Sequence, residues 1–222
     1  MKNLKNILAG GIVGIVAGLS TYCVLNLLTK SKSLTESIDR VYLMEKKDFP
    51  KDLPKNTAAY TFYDKETKKI SVVLQKNYNK KTFFHEAGHA KHFKLDFDNS
   101  AFSSEWEKIA NFEYGTVGGL INKALGRESG MLCDYSFESV YEDVADFVGT
   151  LGYDKNPEDI KKYFTKENLD YIKFSFPLYF ADTTDHRYKQ KIDLLKEYDF
   201  LTKEEHEKLS KNLGSLNYLL KK

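Results

Sequence analysis

The first long apolar stretch of the chain covers residues 7–28, ILAGGIVGIVAGLSTYCVLNLL, and contains no charged residue. A helix rises about 1.5 Å per residue, so a stretch of this length crosses a hydrocarbon core of about 30 Å. The pattern predicts one transmembrane anchor after a short tail at 1–6. A cleaved signal peptide is the alternative, because small residues such as Ala17 and Gly18 lie within the stretch.

Basic residues lie on both sides of the apolar stretch, so the charges of the flanking loops do not decide its orientation. We expect a single-pass membrane protein whose catalytic part lies outside the cytoplasm, or a secreted protein if the stretch is cleaved. Gly10, Gly14 and Gly18 follow one another at four-residue spacing, which would let two anchors pack closely. The spacing predicts a weak homodimer through the membrane.

The pattern changes after the apolar stretch. Residues 29–55 are polar and contain two prolines, which is typical of a juxtamembrane stalk, so we expect the folded domain at 56–222. Two short runs of aromatic and β-branched residues, at 58–63 and 70–74, predict a β-hairpin around a polar loop. We expect strands only in this region.

Beyond the hairpin, apolar residues recur at helical spacing. The pattern predicts helices at about 81–94, 103–112, 137–151 and 157–172, with two more between 186 and 214. The last of these is predicted to begin at Thr202, because a threonine followed by glutamates in the first turn is an N-terminal capping signature. The expected fold class is α+β, dominated by helices, with one small sheet.

Composition limits the function without identifying it. A chain of 222 residues allows one sizeable domain besides the anchor. Lysine and arginine number 34 against 32 aspartates and glutamates, so no broad positive field argues for nucleic acid as a partner. The two cysteines, one of them inside the apolar stretch, cannot form a disulfide framework, and Cys133 is predicted to be a free thiol.

A chemical function is indicated by His85-Glu-Ala-Gly-His89, an H-E-x-x-H motif within a predicted helix. Residues four apart on a helix share one face, so His85 and His89 can offer ring nitrogens to one ion, and zinc suits that ligand type. Glu86 lies beside the ligands, where its carboxylate could take a proton from a water activated by the metal. These parts predict a zinc-dependent hydrolase. A structural helix that carries the motif by chance is the alternative.

A catalytic zinc needs a third protein ligand from elsewhere in the chain. The metzincin extension is excluded, because it requires Gly at position 92 and His at position 95, where this chain has His92 and Leu95. His92 points partly aside from the motif face and is interpreted as a surface or supporting histidine.

The preferred third ligand is Glu142, in the predicted helix at 137–151. Asp146 follows it four residues later on the same face, where it could accept the second ring N–H of a ligating histidine and fix its tautomer. Glu105, Glu107 and Glu113 lie nearer to His89 in sequence and remain the alternatives.

Two motifs together, in His85–His89 and Tyr135–Asp146, resemble the lethal-factor-like zinc peptidases, a gluzincin-type family of zincins. The resemblance covers residues 83–149 and implies a zincin-like catalytic domain with Glu142 as third ligand. It also implies that the hydroxyl of Tyr135 lies beside the metal and donates to the developing oxyanion or to the leaving amine. The chain departs from the family pattern in having Asp146 where glutamate is commoner.

The zincin arrangement also implies that a sheet edge runs along the cleft and binds an extended peptide as an added strand. We assign that edge to Ile70–Leu74, with a plain core strand as the alternative. The predicted function is a membrane-anchored zinc metalloendopeptidase, a metalloprotease with Glu86 as general base and a peptide or protein as substrate. The competing hypotheses are a non-catalytic zincin-fold scaffold protein at the membrane and a zinc hydrolase of a non-peptide substrate.

Overall fold

The structure is a computed structural model, and it describes residues 32–111, 114, 115, 130–153, 155–165 and 167–221. The predicted anchor at 7–28 lies outside the described residues, as does Glu113, one of the alternative ligands. Within the described part, no helix is both long enough and apolar enough to cross a bilayer.

The described residues contain a mixed three-stranded sheet. Its strands are β1 (Arg40–Met44), β2 (Ala59–Asp64) and β3 (Lys69–Gln75), in the order β1-β3-β2. β3 pairs in parallel with β1 and antiparallel with β2, so that Val72 lies between Val41 and Thr61. The predicted hairpin is confirmed, whereas the expectation that strands occur only in the hairpin is wrong, because β1 precedes it.

The assignment of Ile70–Leu74 to the sheet edge is also wrong. These five residues form the middle of β3, the central strand, and all five are buried. A continuous buried run is what a strand covered on both faces shows, and hydrophobic periodicity cannot separate such a strand from an edge strand. The edge beside the motif helix is β2, which makes the antiparallel side of the sheet.

Part of the segment assigned to a stalk at 29–55 lies within the folded unit. Leu34, Ile38 and Val41 are at most 3% exposed and belong to the main hydrophobic core. The segment contributes a short helix, α1 (Lys32–Thr35), and then β1. The few apolar residues of this mostly polar segment did not predict a core element. Their burial depends on the pairing of β1 with β3, a strand distant in the sequence.

Helices make up most of the rest of the described chain, so the expected helix-dominated α+β class is confirmed. They are α2 (Lys80–Phe97), α3 (Phe102–Ala110), α4 (Val140–Gly149), α5 (Pro157–Lys162), α6 (Leu169–Ser175), α7 (His186–Glu197) and α8 (Lys203–Asn212). Short 3-10 turns at Asp134–Phe137 and Thr150–Gly152 precede and follow α4. Thr202 caps α8 as predicted, in a reciprocal capping box with Glu205.

The single helix expected at 157–172 is wrong, because the structure has two helices there. Asn168 accepts a hydrogen bond from the backbone N–H of Thr165 at 2.9 Å and donates one to the carbonyl of Tyr163 at 2.7 Å. Asparagine competes in this way for the backbone groups that a helix would pair. These local bonds lie between the end of α5 and the start of α6.

Helix α2, which carries the H-E-x-x-H motif, packs closely against α4. A Cβ atom added at Gly88 would lie 3.1 Å from the Cα of Ala145 and 3.1 Å from the Cβ of Val148. Only glycine allows this approach without displacing one helix, since a methyl group at that distance is in steric conflict. The close packing sets α4, and Glu142 on it, directly over the motif face of α2.

Capping side chains fix where the two site helices begin. Asn79 accepts from the backbone N–H of Thr82 at 2.8 Å and starts α2, and Ser139 accepts from the backbone N–H of Glu142 at 3.2 Å and starts α4. Each cap satisfies an N–H that the helix itself leaves unpaired. The caps thereby hold the register of both helices at the site.

Candidate metal centre

Three side-chain atoms from α2 and α4 converge on one point. The Nε2 atoms of His85 and His89 are 3.2 Å apart, and the Oε2 atom of Glu142 lies 3.1 Å from the first and 3.3 Å from the second. Among the described residues, these three form the group with the composition and spacing of a metal site. The structure therefore brings together the three residues that the sequence analysis selected.

The triangle has the dimensions that a tetrahedral zinc requires. Ligand atoms at 2.0–2.1 Å from one zinc, at tetrahedral angles, lie roughly 3.3 Å from one another. The three measured separations fall at 3.1, 3.2 and 3.3 Å. The Oε2 atom of Glu142 is buried and has no hydrogen-bond partner within the described part of the chain, so an ion at the shared point would satisfy it. The donor set fits zinc.

Asp146 contacts the ring nitrogen of His85 that faces away from the converging group. Its Oδ1 atom lies 3.3 Å from the Nδ1 atom of His85, on the side of the ring away from Glu142. A proton on Nδ1 leaves Nε2 with a free lone pair, which is the tautomer that a metal ligand needs. The predicted contact between Asp146 and a histidine of the motif is present in the structure.

The charges around His85 favour a cation. Burial by itself would lower the pKa of His85, but the carboxylates of Asp146 and Glu142 outweigh it and raise the pKa to about 10. Burial would likewise raise the pKa of Glu142, and the two histidines instead bring it down to about 2. The centre thus holds concentrated negative charge that a bound metal ion would neutralise.

Asp146 is itself held by two residues that the sequence analysis did not select. Its Oδ2 atom accepts a hydrogen bond from the hydroxyl of Ser136 at 2.6 Å and from the thiol of Cys133 at 2.9 Å. Cys133 is a free cysteine, as predicted, and burial beside Asp146 raises its pKa to about 11. The thiol therefore stays protonated and acts as a donor. No sequence signal marks this contact, because it depends on how the 3-10 turn folds against α4.

Glu86 lies at the edge of the metal group. It is 6% exposed, and its Oε2 atom accepts a hydrogen bond from the hydroxyl of Thr61 on β2 at 2.7 Å. Burial raises the pKa of Glu86, although the neighbouring histidines and Thr61 oppose the rise. The carboxylate is therefore beside the ligands and is not one of the three converging groups, as expected from its position on the helix.

Aromatic rings flank both histidines. The ring of Tyr135 stacks on the ring of His85 with centroids 6.3 Å apart, and Phe93 stacks on His89 with centroids 6.2 Å apart. Tyr135 is 47% exposed, and its hydroxyl is hydrogen-bonded to the carboxylate of Glu142. Burial and the carboxylate of Glu142 raise the pKa of Tyr135, so its hydroxyl keeps its proton at neutral pH.

Other candidate residues lie away from the metal group. His92 was expected at the surface or in support of the site, but it is fully buried and its Nε2 atom is 2.7 Å from the hydroxyl of Ser103 on α3. Since that hydroxyl donates to Asp96, His92 must be the donor in their contact. Glu105 and Glu107 also lie on α3 and are not part of the converging group.

The sequence analysis missed a buried ion pair next to the site. Asp143 and Lys191 are both fully buried, with 2.6 Å between carboxylate and ammonium. The same carboxylate oxygen accepts from the indole of Trp106 at 2.7 Å and from the hydroxyl of Tyr114 at 2.8 Å. The pair joins α7 to α4 one residue from Glu142.

Comparison with known proteins gives one partial likeness. No protein-family model matches the chain, and neither does any curated protein sequence. Among solved structures, the chain is similar to "a putative zinc-binding metallo-peptidase" from Bacteroides caccae, with a TM-score of 0.45 and 14% sequence identity over 89% of this chain and 74% of that one. At this level of likeness, conclusions about activity have to rest on the side chains described above.

Proposed function

We propose that this protein is a zinc-dependent metalloendopeptidase. The observation that carries the proposal is the convergence of His85, His89 and Glu142 at the spacing of three tetrahedral zinc ligands, with Glu86 held beside them. Three protein ligands leave a fourth position free, which distinguishes a catalytic zinc site from a structural one.

The residues of the site have separate roles in the proposed hydrolysis. Bound by the three ligands, zinc would lower the pKa of a water molecule toward about 7 and polarise the substrate carbonyl. Glu86 takes the proton of the attacking water and passes it to the leaving amine, which suits a buried carboxylate with a raised pKa. Tyr135, protonated and half-exposed, donates its hydroxyl to the carbonyl oxygen as negative charge develops there.

The substrate is proposed to be an extended peptide that binds along β2. This strand is at the edge of the sheet, and Thr61 on it contacts Glu86. No further strand pairs with its outer side among the described residues, so its backbone groups can take a peptide as an added strand. This placement replaces the earlier assignment of the peptide-binding edge to β3.

The location of the enzyme is a separate proposal. The apolar stretch at 7–28 has the length and composition of a membrane anchor, so the catalytic part is proposed to act at a membrane surface, outside the cytoplasm. Cleavage of the stretch would release the enzyme. Protease protection of the full chain in intact cells distinguishes the two orientations.

Metal content tests the site. In the purified full chain, mass spectrometry should find one zinc per chain in the wild type and in Glu105→Ala, and less than a tenth of that in Glu142→Ala. Glu105 is the matched control, because it was an alternative ligand and lies outside the converging group. A correctly folded wild type without zinc would contradict the proposal.

Activity tests the chemistry. A library of unstructured peptides should be cleaved by the zinc-loaded wild type, with cleavage at least 100-fold slower in Glu86→Gln, because a general base contributes about 10²- to 10⁴-fold. Glu86→Gln should keep its zinc. Hydrolysis of esters or other non-peptide substrates without cleavage of any peptide would instead indicate a different zinc hydrolase.

A further inference from the structure

Thr61 makes two contacts with the proposed general base, Glu86. Its hydroxyl lies 2.7 Å from the Oε2 atom of Glu86 and 3.0 Å from the backbone carbonyl oxygen of the same residue. The two residues belong to different elements, β2 and α2. The contact is therefore a product of the tertiary fold and joins the sheet edge to the motif helix.

The hydrogen-bonding capacity of the two groups defines the direction of the bond. An ionised carboxylate and a backbone carbonyl only accept, so Thr61 is the donor to Glu86. Its single proton is shared between the Oε2 atom, at 2.7 Å, and the carbonyl oxygen, at 3.0 Å. Of the two carboxylate oxygens, Oε2 is occupied by Thr61, whereas Oε1 has no hydrogen-bond partner among the described residues. One oxygen of Glu86 is thus anchored, and the other remains available to accept a proton.

The sheet holds Thr61 in place. Its pairing partner across the ladder is Val72 in the central strand, which is fully buried. A hydroxyl on a paired strand has less freedom than one on a loop, and groups held within about 0.5 Å of the productive geometry are what a catalytic site needs. The threonine side chain is also stiff about χ1, since it is branched at Cβ.

We propose that Thr61 is a positioning residue for the general base, one that fixes the carboxylate of Glu86 so that its Oε1 atom faces the attacking water. The inference rests on the proposed function, since it assigns a role within the same reaction. It also links two parts of the site, because the strand proposed to bind the peptide is the strand that orients the base. Peptide binding and proton transfer would thereby share one rigid element.

The test compares three variants of the full-length, zinc-loaded protein. Thr61→Val removes the hydroxyl and keeps the shape, whereas Thr61→Ser keeps the hydroxyl. Thr67→Val is the matched control, because Thr67 lies in the turn of the same hairpin and donates to Asp64 instead of Glu86. Steady-state kinetics on a cleaved peptide, zinc content and thermal unfolding are measured for each.

Thr61→Val should lower kcat about 10- to 100-fold, the scale expected when a catalytic group is misplaced by about 1 Å. KM should stay within about twofold and zinc at one per chain. Thr61→Ser should recover kcat to within about threefold of the wild type, and Thr67→Val should match the wild type. Unchanged kcat in folded, zinc-loaded Thr61→Val would overturn the inference.

A second measurement does not depend on activity. Crystal structures of zinc-loaded wild type and Thr61→Val should show the Glu86 carboxylate ordered in the first and turned away or spread over several rotamers in the second. If the wild type binds zinc but cleaves no peptide, the proposed function fails, and these structures still decide the positioning role. An unchanged carboxylate in Thr61→Val would overturn it.

Discussion

At the scale of single residues, the candidate metal site depends on side chains that are not themselves proposed ligands. The carboxylate of Asp146 faces the Nδ1 atom of His85 with one oxygen and accepts from Ser136 and Cys133 with the other. It therefore holds the His85 ring in the orientation and tautomer that leave Nε2 free. The ligand geometry is determined as much by this support as by the ligands themselves.

Asp146→Asn should weaken zinc binding about 10- to 100-fold, the range found for supporting groups of metal ligands. The amide lacks the negative charge and presents a donor where His85 or Ser136 also donates. Competition with a chromophoric chelator measures the dissociation constant. Asp64→Asn, at the exposed hairpin turn, is the control, and equal zinc affinity in both variants would contradict this role.

The buried pair of Asp143 and Lys191 makes a residue-scale prediction about stability. Lys191→Met should lower the free energy of unfolding by about 3–5 kcal/mol, because it leaves the Asp143 carboxylate buried without its counter-ion. Urea denaturation measures the change. In Lys189→Met, which breaks a pair that is 63% and 44% exposed, the loss should stay below about 1 kcal/mol. Similar losses of unfolding free energy in Lys191→Met and Lys189→Met would contradict the larger contribution assigned to the buried pair.

At the scale of elements, the site is an interface between two helices. His85 and His89 come from α2 and Glu142 from α4, so the metal geometry is set by the distance between the helix axes. Gly88 sets that distance, because its missing Cβ makes room for the backbone of Ala145. The glycine within the motif thus has a packing role, whereas the roles proposed for His85, Glu86 and His89 are chemical.

Gly88→Ala should weaken zinc binding at least tenfold, because the added methyl group pushes Glu142 away from the two histidines. The better helix propensity of alanine, worth about 1 kcal/mol, partly offsets the strain, so zinc affinity should fall more than stability does. Gly149→Ala is the comparison on α4. Its added Cβ would also lie against a proposed ligand, 3.5 Å from the Cβ of His85, but that is an ordinary van der Waals distance and should not move the helices. An unchanged zinc affinity in Gly88→Ala would show that the methyl group is accommodated without displacing Glu142, and would contradict this role of Gly88.

At the scale of the whole molecule, a metal bound by α2 and α4 would tie together segments that are distant in the sequence. A ligand that binds only the folded state stabilises it by about 2.7 kcal/mol when present at 100 times its dissociation constant. Removal of zinc with a chelator should lower the melting temperature of the wild type. The same treatment should leave Glu142→Ala unchanged, and a wild type insensitive to chelation would argue against a shared metal.

The hydrophobic core also includes residues from the segment at 29–55, which its polar composition assigned to a stalk. Leu34, Ile38 and Val41 belong to one cluster with residues of β3, α2 and α4. A few apolar side chains in a polar segment carry little periodicity, so the strand at 40–44 could not be predicted without its partner. Hydrophobic periodicity is limited in a similar way, and for that reason the central strand, Ile70–Leu74, was assigned to the sheet edge.

The sequence by itself determined the local features of this protein. Helical spacing, caps and the H-E-x-x-H motif depend on neighbours within about four residues, which is why α2, the start of α8 and the pair of histidines could be predicted. The combination of Glu142 with Asp146 was predictable for the same reason, since both lie on one face of one helix.

Only the tertiary structure decided which elements meet. Several contacts join separate segments of the chain. They are the contacts of Thr61 with Glu86, of Ser136 and Cys133 with Asp146, of Lys191 with Asp143, and of β1 with β3. No local pattern specifies such contacts, because they follow from the packing of apolar faces and from the requirement that buried polar groups find partners. The grouping of the three proposed ligands and the contact of Asp146 with His85 were predictable from the sequence. The residues that hold Glu86 and Asp146 in turn, which are Thr61, Ser136 and Cys133, were not.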